Sequence, residues 1–395
     1  EQLQDDGERV RLELQVPVAP GINLEAVGGY TSPEVAQNYA RARELCDQFG
    51  YTTETVPVLL GLFVFHLVRA DHRVARDLAE QCMHYSERAN RVEYLIDACA
   101  ALGHVLPHLG ELRPAVPILD RCVALSAAHR AELSTPITAQ DPAVASLCQL
   151  GLVSWLLGLP DGAVRHIEGA RALAATLDHP INAVMICPYA AEVHQLRGEP
   201  AKAAECASEG VRAGMEHGYD YWALLSLAHL GIANASLGRA EGHAETERAL
   251  AGLRAAGALA NFPYFLSMSA EAALLAGDRS SAARLIAEAF ETEERTQERF
   301  FMTLLYRMRG LLKATAQQPD EAGAESDFMT AAQFARAQGA RSAELRAVLS
   351  LHRLHLRQNR GRESLPALAE VYSGMSEGLG TADLVQAKAL LDGRI

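Results

Sequence analysis

Two pairs of histidines have the spacing of metal ligands. His104 and His108 lie four apart in one predicted helix, and His352 and His355 three apart in another. Either separation puts both imidazoles on one helix face, where they could grip a divalent ion. Pro107 stands inside the first pair and no third ligand suggests itself. Arg353 and Arg357 accompany the second pair, which reads as a solvated face. Neither pair predicts a metal site. The sequence also has no G-x-x-x-x-G-K-[S/T] phosphate loop, no G-x-G-x-x-G, no H-E-x-x-H and no G-x-S-x-G elbow. The segment is expected to be non-catalytic and to carry no cofactor.

Polar and aromatic residues remain that could bind a partner rather than transform one. Arg69, Tyr94, Asp97, His104, Tyr189, His194, Tyr221, Tyr264 and Arg307 recur on the first helix of successive predicted hairpins, beside His66, Gln149, His229, Glu271 and Tyr306. First helices of stacked hairpins line a concave surface, so the set predicts a groove for a protein or small-molecule ligand. For any single member, the simpler role is to fill a gap between repeats or to meet water. A second group lies in the connection between Ser126 and Pro142. Asp141 before Pro142 has the form of a helix cap, while Arg130, Glu132, Thr138 and Gln140 are candidates to reach over the groove.

A repeated turn must position all of these residues. Its clearest copy is Leu196-Arg197-Gly198-Glu199-Pro200-Ala201-Lys202-Ala203. Gly198 can take the left-handed conformation that ends a helix, and Ala203 is small enough for the returning helix to lie close. Gly110 with Ala115, Gly158 with Ala163, and Gly277 with Ala282 repeat the pattern; Gly238 has His243 in the alanine slot and Ala244 after it. Successive glycines are 48, 40, 40 and 39 residues apart, so the first interval carries about eight extra residues.

The pattern predicts helix pairs at 53–69 with 73–89, 91–109 with 112–128, 142–157 with 161–177, and 180–196 with 199–216. Further pairs follow at 219–237 with 240–256, 260–276 with 279–295, 298–315 with a helix running from the turn at 317–320 to about 337, and 341–358 with 363–376. A short helix over 382–392, opened by Thr381, closes the array. Its residues Leu384, Val385, Ala387, Leu390 and Leu391 would cover the last repeat. Small residues in Tyr221–Leu237 predict a close helix crossing at Gly231. The expected fold is all-α, a right-handed superhelical solenoid of tetratricopeptide-like hairpins. Residues 1–30 would be an N-terminal helix and linker, 31–378 the solenoid, and 379–395 a capping helix.

Composition agrees with closely stacked helices: 49% of the 395 residues are hydrophobic, but only 6% are aromatic, so Ala and Leu carry the packing. With 36 basic and 49 acidic residues the net charge is −13, against capture of nucleic acid. Seven cysteines, with no C-x-x-C pair, read as reduced core residues of a cytoplasmic protein. The longest apolar run, Val56 to Val68, is too short to span a membrane. A chain opening on Glu1, with no signal peptide, is expected to be part of something longer.

Three sets of segments carry a family resemblance. The first is Gly29-Tyr30-Thr31-Ser32-Pro33-Glu34-Val35 with Ala42-Arg43-Glu44-Leu45-Cys46. The second is Gln140-Asp141-Pro142 followed by Trp155-Leu156-Leu157-Gly158-Leu159-Pro160-Asp161. The third is Glu344-Leu345-Arg346-Ala347 with Val371-Tyr372, Glu377-Gly378 and Thr381-Ala382-Asp383-Leu384. In this order the chain resembles the C-terminal tetratricopeptide-like region of large bacterial signalling ATPases, in which a cyclase-like or winged-helix domain precedes a P-loop ATPase. It departs from that pattern near Glu298-Arg299-Phe300 and Tyr306-Arg307-Met308-Arg309-Gly310, where the family would carry more acidic residues. The resemblance implies repeats that sense a ligand or protein and restrain an upstream ATPase domain of the same chain. The alternative is a free-standing adaptor that binds a peptide or helix of another protein.

Overall fold

The computed structural model describes residues 55–89, 91–131, 140–177 and 179–394, with helical positions at 37, 40, 41 and 44. Residues 1–30, Glu132 and Thr138, for which the sequence raised expectations, lie outside the described residues. Within them are seventeen helices and no strand. The first eight are α1 (Val56–Val68), α2 (His72–Ala89), α3 (Val92–His108), α4 (Leu112–His129), α5 (Pro142–Leu156), α6 (Pro160–Ala174), α7 (Pro180–Arg197) and α8 (Pro200–His217). Then come α9 (Asp220–Ser236), α10 (Gly242–Ala255), α11 (Phe262–Leu275), α12 (Arg279–Thr296), α13 (Met302–Ala314), α14 (Glu321–Gln338), α15 (Arg341–Arg357), α16 (Gly361–Ser373) and α17 (Ala382–Leu391). They form eight antiparallel hairpins and a final single helix in a right-handed tetratricopeptide-like superhelix.

The turn chemistry accounts for the hairpins. Gly110, Gly158, Gly198, Gly238 and Gly277 all take positive φ, between 73° and 94°. Ala115, Ala163, Ala203 and Ala282 are completely buried, each under its preceding helix. In the fourth such turn neither His243 nor Ala244 fills the alanine slot, for both are exposed; Gly242 does so instead. A Cβ on Gly242 would meet the Ala235 backbone nitrogen at 2.3 Å, and one on Gly231 would meet Thr246 Oγ1 at the same distance. Two glycines therefore replace the usual alanine at this crossing.

Odd-numbered helices form an inner layer and even-numbered ones an outer layer. Thirteen of the fifteen residues of α5 are buried, against five of the eighteen of α8. A helix apolar all round must be covered all round, and the inner helices pack on each other as well as on their hairpin partners.

What covers them is the superhelix itself, whose second turn seats on its first. The backbone N–H groups of Leu259 and Ala260 donate to the Val68 carbonyl at 2.8 and 3.1 Å, and Arg299 N–H donates to the His108 carbonyl at 2.6 Å. Gly378 N–H donates to Asp161 Oδ2 at 2.9 Å, and Gly162 N–H to Glu377 Oε1 at 2.6 Å. The Gly198 turn lies against Ala382. Each contact joins a hairpin to the fifth unit after it, the final helix counting as the ninth, so five hairpins complete one turn. The concave face is consequently enclosed rather than an open groove.

Three local expectations need correction. His352 and His355 are 2% and 5% exposed, not solvated. Their face packs under the neighbouring helices, with His352 Nδ1 2.9 Å from Ser364 Oγ and His355 Nε2 3.1 Å from Glu325. Thr381 occupies the N-cap of α17 in extended conformation but makes no side-chain cap bond. In α17, Leu384, Ala387 and Leu390 are buried against the last hairpin, whereas Val385 is 54% exposed.

Candidate functional site

Enclosure leaves a cavity of about 140 Å³ among α1, α3, α5, α7 and α9, closed from the second turn by Ala260, Asn261 and Phe265. Its walls are mostly apolar and aromatic: Leu60, Phe63, Val64, Met185, Trp222 and Leu225 face Tyr189 and Tyr221. Among the described residues no lysine or arginine lines it, yet two carboxyl groups do, Asp97 and Glu192. Burial, reinforced by the negative charges of Asp141 and Glu93, pushes the Asp97 carboxyl up to about 7. Burial with the charge of Glu298 raises that of Glu192 to about 8. The same desolvation, with His108 and His72 adding to it, lowers His104 to about 3; His229 falls equally far by desolvation alone. At neutral pH the Glu192 carboxyl and both imidazoles are uncharged, as an apolar wall requires.

Of the residues singled out from the sequence, Asp97, His104, Gln140, Tyr189, Tyr221 and His229 come together here. His104 Nε2 is 3.3 Å from the Tyr189 hydroxyl. The others lie elsewhere. Arg69 is at the end of α1, paired with Asp71 at 3.4 Å and stacked over Phe65. Tyr94, near the start of α3, lies beneath the Arg91 guanidinium and packs against the core of the first hairpin. Asp141 is a buried cap, accepting from the N–H groups of Ala143 and Val144 at 3.0 and 3.2 Å, and Arg130 is its ion-pair partner. His194 Nδ1 is held by Glu199 at 2.6 Å. Tyr264 is fully buried, with its hydroxyl donating to Gln195 Oε1 at 2.9 Å.

Arg307 belongs to a second, charged pocket farther along the lumen. This space of about 310 Å³ is bordered by Gln195, Glu271, Arg307, Arg346, Arg353 and Asp383. Arg307 pairs with Glu271 at 2.6 Å and Arg346 with Asp383 at 2.7 Å. Arg353 is exposed, and the pocket carries three arginines against two acids. Gln195 borders this pocket while its partner His229 borders the apolar one.

No family model matches the sequence. A protein of Rhizobium meliloti (strain 1021), itself uncharacterized, is 27% identical over 357 residues, which cover 89% of this chain and 34% of that protein. The chain thus spans about a third of the length of the curated relative it matches. Among solved structures, a Rap protein complexed with Competence and Sporulation Factor superimposes with a TM-score of 0.59 at 14% identity, over 72% of this chain and 76% of that one. A Pyrococcus horikoshii Signal Transduction ATPase with Numerous Domains protein, described as having a tetratricopeptide repeat sensor, aligns more loosely. Its TM-score is 0.43 at 11% identity, over 92% of this chain and 56% of that one. The fold is that of a tetratricopeptide-like repeat protein.

Several site residues escaped the sequence reading. Glu192 is a single acid in the apolar run of α7, and its position among Ala and Val was the available signal. His108 was set aside for want of a third ligand; Glu298 faces it from 190 residues away, and His72 stacks on its ring. Arg346 lay in plain view inside a resemblance segment. Trp155, Asp161, Arg346, Glu377, Gly378 and Asp383, all from the resemblance segments, build the seam between the two superhelical turns.

Proposed function

We propose that this chain is the ligand-sensing repeat module of a larger signalling protein, with the apolar cavity as its receptor site. The observation that carries the reading is the cavity's position. Residues of the first superhelical turn form most of its wall, while Ala260, Asn261 and Phe265 of the second complete it. A ligand seated there touches both turns, so its binding energy is linked to how firmly they close. The titratable groups of the wall are held largely neutral and the rest is apolar or aromatic, composition suited to binding rather than to acid–base turnover. The regulatory setting, an ATPase or adenylate-cyclase-type protein of which this is the C-terminal part, is supported by the segment resemblance and by the greater length of the Rhizobium relative.

A ligand-stabilisation screen tests this reading. Small, largely apolar compounds and short peptides are assayed for a rise in Tm, and hits are repeated on Ala145→Phe, which fills the cavity from its wall. The reading stands if hits lose their effect on that variant and fails if they keep it. The complete coding sequence tests the setting: a P-loop ATPase upstream of Glu1 is expected.

A second reading, a free-standing adaptor, has its own support in the arginine-bordered pocket, which offers the exposed Arg353 to an acidic side chain or peptide carboxylate. The Rap protein of similar fold was solved with Competence and Sporulation Factor bound. Peptide hits abolished by Arg353→Ala but not by Ala145→Phe would favour this reading.

A further inference from the structure

His72 is the first residue of α2, His108 the last of α3, and Glu298 lies in the link between α12 and α13. All three side chains are at least 96% buried, and one donor atom from each falls within 4.8 Å of the other two. His108 Nδ1 is 2.8 Å from Glu298 Oε1, and His72 Nε2 is 3.9 Å from Glu298 Oε2. The imidazoles of His72 and His108 stack with centroids 4.5 Å apart and planes 11° from parallel. The Asn261 N–H donates to the Glu298 carboxylate at 3.2 Å, fixing its orientation.

A plain hydrogen bond between His108 and Glu298 accounts for two of these residues and not for the third. Neither nitrogen of His72 has a hydrogen-bond partner, although the residue is 1% exposed. A buried imidazole with both nitrogens idle, aimed at a carboxylate, is a costly arrangement that wants an electrophile. We propose that His72, His108 and Glu298 bind a divalent transition-metal ion of the zinc class, which clamps the two turns of the superhelix together.

The donor set fits. Two imidazoles and one carboxylate are the ligands that zinc and its neighbours accept with a further position open. Ligands at ordinary zinc distances around a tetrahedral ion stand ~3.4 Å apart. Here His108 Nδ1 is 2.8 Å from Glu298 Oε1, His72 Nε2 is 3.9 Å from Oε2, and one donor atom of each residue lies within 4.8 Å of the other two, so small side-chain shifts bring the set to that spacing. The Asn261 contact supplies the outer-shell hydrogen bond that orients a ligating carboxylate. Both His108 and Asn261 line the apolar cavity, so the fourth position opens toward it. His72 and His108 belong to the first two hairpins and Glu298 to the start of the seventh. The ion therefore staples the same seam that backbone hydrogen bonds close at Val68 and His108.

To test this, the 395-residue chain is stripped with a chelator and titrated with Co2+ while its visible spectrum is recorded; Zn2+ is then added in competition. The expected result is one equivalent per chain, with the intense d–d bands of a four- or five-coordinate site, displaced by Zn2+, and a higher Tm with Zn2+ bound. His72→Asn and Glu298→Gln should each weaken Co2+ binding by at least ~100-fold, since even outer-shell losses approach that size. His84→Asn, on an exposed stretch of α2, should change nothing. Glu298→Gln keeps the side chain's shape and decides the matter if His72→Asn does not fold. Absence of saturable binding by the wild-type chain, featureless octahedral spectra, or equal binding by Glu298→Gln would overturn the proposal.

Discussion

Gln195 and His229 hold each other twice across neighbouring inner helices. The Gln195 Nε2 group donates to the His229 carbonyl at 2.8 Å, and Gln195 Oε1 accepts from His229 Nδ1 at the same distance. Tyr264 donates its hydroxyl to that oxygen at 2.9 Å. This arrangement puts the imidazole proton on Nδ1 and turns the bare Nε2 toward the Glu192 carboxyl, 3.8 Å away. Tyr264→Phe should cost ~1 kcal/mol by removing one donor. Gln195→Leu should cost ~3 kcal/mol, because it strands several buried polar groups. Urea unfolding of the two variants checks the order.

Glu192 makes stability depend on pH. Its carboxyl has risen from 4.5 to about 8 through burial and the charge of Glu298, so between those values the native state holds a proton that the unfolded chain releases. Its contribution is complete below pH 4.5 and is lost as pH climbs through about 8. Glu192→Gln needs no proton. It should gain on wild type by ~1.4 kcal/mol for each pH unit across that window, and paired denaturation curves would show a constant difference if Glu192 stays ionised instead.

Asp141 separates capping from binding. Asp141→Ala removes two cap bonds and the Arg130 partner, and should cost ~1–2 kcal/mol. Asp141→Asn keeps the cap and loses only the partly exposed ion pair, ~0.5 kcal/mol. Gln140, one residue earlier, lines the cavity; Gln140→Ala should leave Tm nearly unchanged while weakening any cavity ligand, as calorimetry on a screening hit would show.

Arg346 ties the seam at two points, the Leu196 carbonyl and the face of Trp155 at 4.7 Å, and is held for both by Asp383 of its own turn at 2.7 Å. Arg346→Ala should cost ~3 kcal/mol. Hydrogen exchange should then quicken both near 155–162 and near 378–391. Faster exchange at only one of these places would mean that the arginine does not couple them.

Removal of residues 379–395 uncovers the apolar surface now under Leu384, Ala387 and Leu390, including Leu345 and Leu349. The shortened chain should associate and melt lower. Light scattering that still reports a monomer with an unchanged Tm would show that α17 covers nothing essential.

The sequence by itself determined the hairpins. A glycine that can take positive φ, followed five residues on by an alanine that must be small, is a local instruction. The helix ends at His108, Leu156, Arg197 and Ser236 follow within a residue or so of where it places them. Asp141 before Pro142 was likewise readable, because a cap bonds only to residues two and three positions on. Local rules reach about one helical turn and no farther. Which hairpin meets which depends on the small rotation between successive repeats, added up over five of them, and no residue spells out that sum. Tertiary structure alone therefore closed the expected groove into two pockets and brought Glu298 to His108 across 190 residues. It also left His194 and Tyr264 out of the cavity while placing Asp97, Glu192 and Tyr221 within it. The conspicuous segments around Trp155, Arg346 and Glu377 were visible from the start, but only the stacking of one superhelical turn on the next shows that they touch.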